Sequence, residues 1–132
     1  MAMQQIKLLG SLMAIGGLAA LTSGTAVADM AKAEATAMEH AELASKGDDV
    51  AVVHRHLHHV LNCLVGDKGE GFDASMGNPC SATGGAIPQT SDPKMKMKLE
   101  KVAKEARMGI ANDDFEAAKK AAMEVEMALK KK

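Results

Sequence analysis

The sequence predicts an all-α fold, a four-helix bundle made of two repeated antiparallel helix hairpins and a long joining loop pinned by a disulfide. Three observations predict it. Apolar residues recur at helical spacing through four stretches, the first of them rich in Ala, Glu and Met, which are strong helix formers. The stretches form two pairs that superimpose at a constant offset: Asp48-Asp49-Val50 lies over Asp113-Asp114-Phe115, Val60 over Val125 and Leu64 over Leu129. Each pair alone is an amphipathic hairpin that cannot bury its apolar stripe, so the two are expected to stack. Between the pairs, glycine and proline crowd into one aperiodic segment.

Residues 1–28 read as a secretory signal peptide. Lys7 supplies the positive start, Leu8–Leu21 the apolar run, and Ala26-Val27-Ala28 the small residues before a cut between Ala28 and Asp29. The run is too short and too glycine-rich for a membrane span of about 20 residues. Export is therefore expected, with no stable membrane insertion after cleavage. Residues 29–132 then make a single helical-bundle domain.

Hairpin one covers 30–65. Its first helix is Met30–Lys46; Gly47 stops it, Asp48 is placed to cap the second helix, and Asp49 sits favourably in that helix's first turn. The second helix runs to about Val65 and ends at Gly66. From Gly66 to Pro93 the chain holds six of the eight glycines that follow the leader, and all three prolines, so 66–92 reads as a loop. Hairpin two covers 93–132. Asp92 is its N-cap, Pro93 takes the first helical position, and the helix runs to about Ile110. Asn112 or Asp113 caps a last helix ending in Lys130-Lys131-Lys132, where cations suit the negative end of the dipole.

Periodicity assigns the core to Val50, Val53, Leu57, Val60, Leu61 and Leu64 in the second helix. In the last it assigns Phe115, Ala118, Ala122, Val125 and Leu129. Alanine and methionine fill much of what remains, which buries little area, so a bundle of this size needs further support. The two cysteines supply it. In an exported chain, Cys63 and Cys80 most simply form one disulfide, closing a loop of 18 residues worth roughly 3 kcal/mol by chain entropy. A thiolate pair on a metal is the minor alternative, and a redox-catalytic pair is disfavoured because those sit at CxxC spacing.

Charge and composition exclude several functions. The net charge is −1, and −2 once Lys7 leaves with the signal, so no general nucleic-acid binding is expected. Trp and Tyr are absent, and Phe72 and Phe115 are too few for base or sugar stacking. There is no GxGxxG, P-loop, CxxC or CxxCH. No base and nucleophile pair can be named, so an enzyme is not expected.

What remains is histidine. Four of the five lie within six residues: His54, His56, His58 and His59. His54 and His58 are one helical turn apart and share a face, and such a pair can present two imidazole nitrogens to one ion. His56 and His59 lie on the other side of the apolar stripe, with Cys63 four residues on. The glutamate that a HExxH protease uses as base is missing from His54-Arg55-His56-Leu57-His58, which favours binding over hydrolysis. In a hairpin turning at Gly47, position 40 pairs roughly with 54 or 55, so His40 is expected beside His54 and His58. Glu39, Glu42 and Met38 are further donors there. Imidazole suits copper, zinc and nickel. Methionines such as Met95, Met97, Met123 and Met127 suit Cu(I), but at helical spacing they read first as core filler.

Alanine-rich hairpins with acidic or glycine turns, histidines along them and a secretory leader resemble the small periplasmic metal-binding proteins of bacteria. The resemblance covers Met30–Leu64 and, more loosely, Lys98–Leu129. It implies a histidine-bearing bundle in the periplasm that binds divalent metal, copper especially. The second hairpin departs from the pattern, with no histidine and with Glu105, Lys119 and Ala122 in the corresponding stretches, which implies one or two sites. The expected function is thus binding or buffering of copper or zinc, with the metal ion as partner and any protein partner unknown. The alternative is a disulfide-stabilised bundle that binds a protein or an apolar ligand through its Gly-rich loop.

Overall fold

A computed structural model describes residues 23–132. Most of the leader, including Lys7 and Leu8–Leu21, lies outside the described residues. Five α-helices follow one another: α1 Ser23–Ser45, α2 Val50–Val65, the short α3 Ala86–Gln89, α4 Pro93–Ile110 and α5 Phe115–Lys130. No strand occurs among the described residues, and none of their helices is long and apolar enough to cross a membrane. The first helix starts earlier than its pattern suggested and runs through the expected cut after Ala28.

Capping fixes the two hairpins one residue later than expected. Asp49, not Asp48, caps α2, its carboxylate accepting from the Val52 amide at 2.8 Å. Asp114, not Asn112 or Asp113, caps α5 in the same way through Ala117, at 2.9 Å. These two caps stand at the repeat offset. So do the buried pairs Val53 and Ala118, Leu57 and Ala122, Val60 and Val125, and Leu64 and Leu129. Val50 and Phe115, also a repeat pair, are half-buried at the edge of the core.

Within each hairpin the helices are antiparallel, α1 against α2 and α4 against α5, joined by short turns. α1 packs on α2 and α5, and α4 packs on the same two. α2 and α5 also touch each other, whereas the backbones of α1 and α4 stand apart at opposite corners. The bundle is therefore a flattened rhombus whose two halves exchange under the repeat. Two reciprocal hydrogen bonds show the symmetry in detail. His54 Nε2 on α2 donates to the Asn112 carbonyl in the α4–α5 turn, at 2.8 Å. Lys119 Nζ on α5, its repeat counterpart, donates to the Gly47 carbonyl in the α1–α2 turn, at 3.0 Å.

Close approach replaces bulk in this core. Ala33, Ala37, Ala41 and Ala44 form a fully buried seam along α1, and Leu57, Leu61 and Leu64 of α2 supply much of the core's volume. A helix lined by alanine lets its neighbour come near the short end of the usual 8–10 Å separation. That leaves no room for longer side chains. Methionine accordingly does not fill the core as expected: Met38, Met97, Met108, Met123 and Met127 are exposed, and Met30 and Met95 reach only its margin.

The segment 66–92 is more ordered than an aperiodic loop. It holds a 3-10 turn at Ala74–Met76 and the short α3, which packs on α1, α2 and α4. The Cys63–Cys80 disulfide closes it onto α2, with a Cα–Cα distance of 5.1 Å. Asn62, wholly buried, adds a clamp: its amide nitrogen donates to the Asp73 and Gly77 carbonyls, and its oxygen accepts from the Asp73 amide. Asn62 lies opposite the apolar stripe of α2. The loop thus covers the face that a surface helix would turn to solvent. α5 has no such cover; its counterpart of Asn62 is the exposed Met127.

Candidate metal centre

The stripe Val53, Leu57, Val60, Leu61 and Leu64 divides α2 into two flanks. At about 100° per residue, His54 and His58 fall on one flank, and His56, His59 and Cys63 on the other. The bundle's topology decides which flank meets which helix. The α4–α5 turn takes the first, through His54 and Asn112. α1 takes the second, where Cys80, bonded to Cys63, lies with its sulfur 3.9 Å from the Ala33 carbonyl.

His40 of α1 therefore meets His56 and His59, not His54 and His58 as the hairpin register suggested. Its Nδ1 lies 3.1 Å from His56 Nδ1 and 3.3 Å from His59 Nδ1. The rings of His40 and His56 are stacked, with centroids 5.3 Å apart, and His59 stands edge-on to both. All three are half-buried, and one nitrogen from each lies within 4.8 Å of the others. A tetrahedral zinc with Zn–N bonds of 2.0–2.1 Å sets its nitrogens about 3.3–3.4 Å apart. The two Nδ1 separations from His40 are of that size.

The outer nitrogen of His59 fixes the inner one. Nε2 donates to the Met76 carbonyl at 2.7 Å, so the neutral ring carries its proton there and turns a lone pair inward at Nδ1. A backbone carbonyl on the far nitrogen is the usual way in which a ligand imidazole is oriented. The approach needs Gly77, whose φ is +89° and whose position would place a Cβ 3.3 Å from His59 Nε2. With His59 Nδ1 as acceptor, one proton on His40 Nδ1 satisfies both short contacts; a cation there would take three lone pairs.

Electrostatics disfavour charge on His40 and His56. Burial, then the charges His59 and His56 would carry, pushes the His40 pKa below the ordinary histidine value, against a small opposing effect of Glu39. Burial, then His59 and Arg55, lowers that of His56. Neutral imidazole is the form that binds metal, so protons compete weakly at neutral pH.

The other candidates are placed as follows. His54 is committed to Asn112, and His58 lies outside the three-residue group; its Nδ1 is buried with no hydrogen-bond partner. Burial lowers the His58 pKa, partly offset by the Asp73 carboxylate. Glu42 is paired with Lys46, Met38 is exposed, and Glu39 does not join the convergent donors. Cys63 and Cys80 are joined to each other. The repeat counterparts of His40, His56 and His59 are Glu105, Ala121 and Glu124, so the nitrogen-donor set occurs once in the two halves.

Sequence reasoning missed the Met76 carbonyl and Gly77, since no side chain advertises a backbone acceptor. One signal was present: His59 precedes Cys63 by four residues and Met76 precedes Cys80 by four. A disulfide between the cysteines brings the other two into line. Comparison with protein-family models, with curated proteins and with solved structures found no match.

Proposed function

We propose that this protein is exported to the bacterial periplasm and there binds one copper or zinc ion through His40, His56 and His59, buffering or carrying it without catalysis. The observation that carries this reading is that His40 Nδ1 lies at ligand-to-ligand spacing from both His56 Nδ1 and His59 Nδ1, with His59 held from behind by Met76. All-nitrogen donors suit Cu(II) and Zn(II). Three of them leave the fourth position of a tetrahedral ion to water or an incoming donor, which favours exchange over permanent structural binding.

Titration of the protein with Cu(II) and Zn(II) tests it. One equivalent should bind, a His56→Ala/His59→Ala variant should lose that binding, and a His54→Ala/His58→Ala variant should keep it. Loss in the second variant and not the first would reverse the assignment. Export is tested separately: the mature protein recovered from the periplasmic fraction should begin at Asp29 by N-terminal sequencing.

A further inference from the structure

We infer that closure of the Cys63–Cys80 disulfide completes the histidine site, so that the chain reaches its full affinity for metal only when oxidised. The inference rests on the metal-binding reading above and concerns its regulation. Two parallel rungs join α2 to the loop. Cys63–Cys80 is one, and His59 Nε2 to the Met76 carbonyl is the other, one helical turn earlier on α2 and four residues earlier on the loop. The Asn62 clamp lies between them. The contact that orients His59 from outside thus comes from a segment whose one covalent tie to α2, besides the chain itself at Gly66, is the disulfide.

Without that bond, the loop is joined covalently to α2 through Gly66 alone, the Asn62 clamp has to hold it unaided, and its glycines regain freedom. The carbonyl at Met76 then leaves His59, whose ring is free to rotate and to exchange tautomers. His40 and His56 remain, set by the alanine seam and the helix, as a two-nitrogen site. Closure balances as thiol–disulfide exchange. Two cysteine thiols and one small-molecule disulfide give the protein disulfide and two small-molecule thiols, so two electrons and two protons leave the chain. Both cysteines are then fully buried, which shields the bond from reductants.

The test uses the full chain in three forms: oxidised, reduced by a phosphine that is then removed without air, and Cys63→Ser/Cys80→Ser. Each is titrated with Zn(II) and Cu(II) against a competing chelator, while circular dichroism follows helix content. The opened forms should keep their helices, bind about 10–100-fold more weakly than the oxidised form, and lose hydrogen-exchange protection over 74–80. If they unfold instead, Gly77→Ala decides with the disulfide intact. Its Cβ is strained at that φ and presses on His59, so binding should weaken by a similar factor, and unchanged affinity overturns the inference. Equal affinity in opened and oxidised forms also overturns it, as does tighter binding on reduction with thiolate-to-metal charge-transfer bands. In those cases the histidine site itself stands. Failure of the oxidised protein to bind either ion removes the site, and with it the inference.

Discussion

His54 and His59 each donate Nε2–H to a backbone carbonyl, and the identity of that carbonyl separates their roles. The acceptor for His54 belongs to the α4–α5 turn and that for His59 to the loop beside His40. The first bond ties the two hairpins together; the second aims a lone pair at two other nitrogens. His54→Ala should therefore cost about 1 kcal/mol of stability, the net worth of a hydrogen bond, and leave the metal Kd unchanged. His59→Ala should do the reverse in emphasis, with Kd rising by orders of magnitude and a modest change in denaturation midpoint. Denaturant titration and chelator competition on the same samples check both. Asn62→Ala is a harsher change. It leaves the Asp73 amide and the Asp73 and Gly77 carbonyls without their partner, at about 1–3 kcal/mol for each group that stays buried and unsatisfied. Urea melts of Asn62→Ala should show a loss well above that of His54→Ala; an equal loss would mean that water replaces the amide.

At the scale of the element, the two hairpins pack through small residues, and Gly109 marks the tightest point of the second. A Cβ there would stand 2.6 Å from Leu57 Cδ1 and 3.0 Å from the Ala121 Cβ. Alanine is ordinarily better than glycine inside a helix by about 1 kcal/mol. Gly109→Ala should nevertheless destabilise by about 1–3 kcal/mol, because overpacking outweighs propensity; a rise in melting temperature would show that α4 shifts freely. Its repeat counterpart Ala44, fully buried, shows that hairpin one has room for the methyl. Such elements were legible in the sequence. Helix ends at Gly66 and Pro93, the stripes of α2 and α5, and the repeat all follow from period and punctuation. What was not legible is the side on which α1 lies. The apolar stripe of α2 has two flanks of equal standing, and periodicity does not say which one the preceding helix covers. That ambiguity placed His40 beside His54 and His58. The disulfide resolves it in retrospect, since Cys63 shares its flank with His56 and His59. The outward turn of the methionines was hidden for a different reason: nothing in a helical wheel announces that an alanine seam has closed the space.

Across the whole molecule, the half-buried imidazoles couple folding to pH, and the sign follows from their shifts. His40, His56 and His58 all have pKa values lowered mainly by burial, so the unfolded chain takes up protons at a higher pH than the folded one. Stability therefore rises with pH through this window. It is fully present above the ordinary histidine value of about 6.5 and is lost as pH falls towards the lowered values in the fold. Thermal melts of the metal-free protein should accordingly shift down between pH 7.5 and 5.5, where carboxylates and lysines hardly titrate. A flat profile would mean that the three rings are solvated. A bound ion adds to the same linkage. At one hundred times its Kd it stabilises the native state by about 2.7 kcal/mol, provided the unfolded chain does not bind it. Because the ion requires all three ligand imidazoles neutral, acid removes this contribution as well. The metal-loaded protein should then melt higher at pH 7.5, show the steeper pH dependence, and converge on the metal-free curve at low pH. In His56→Ala/His59→Ala the two curves should coincide throughout. A separation that survived this substitution would place the ion elsewhere in the bundle.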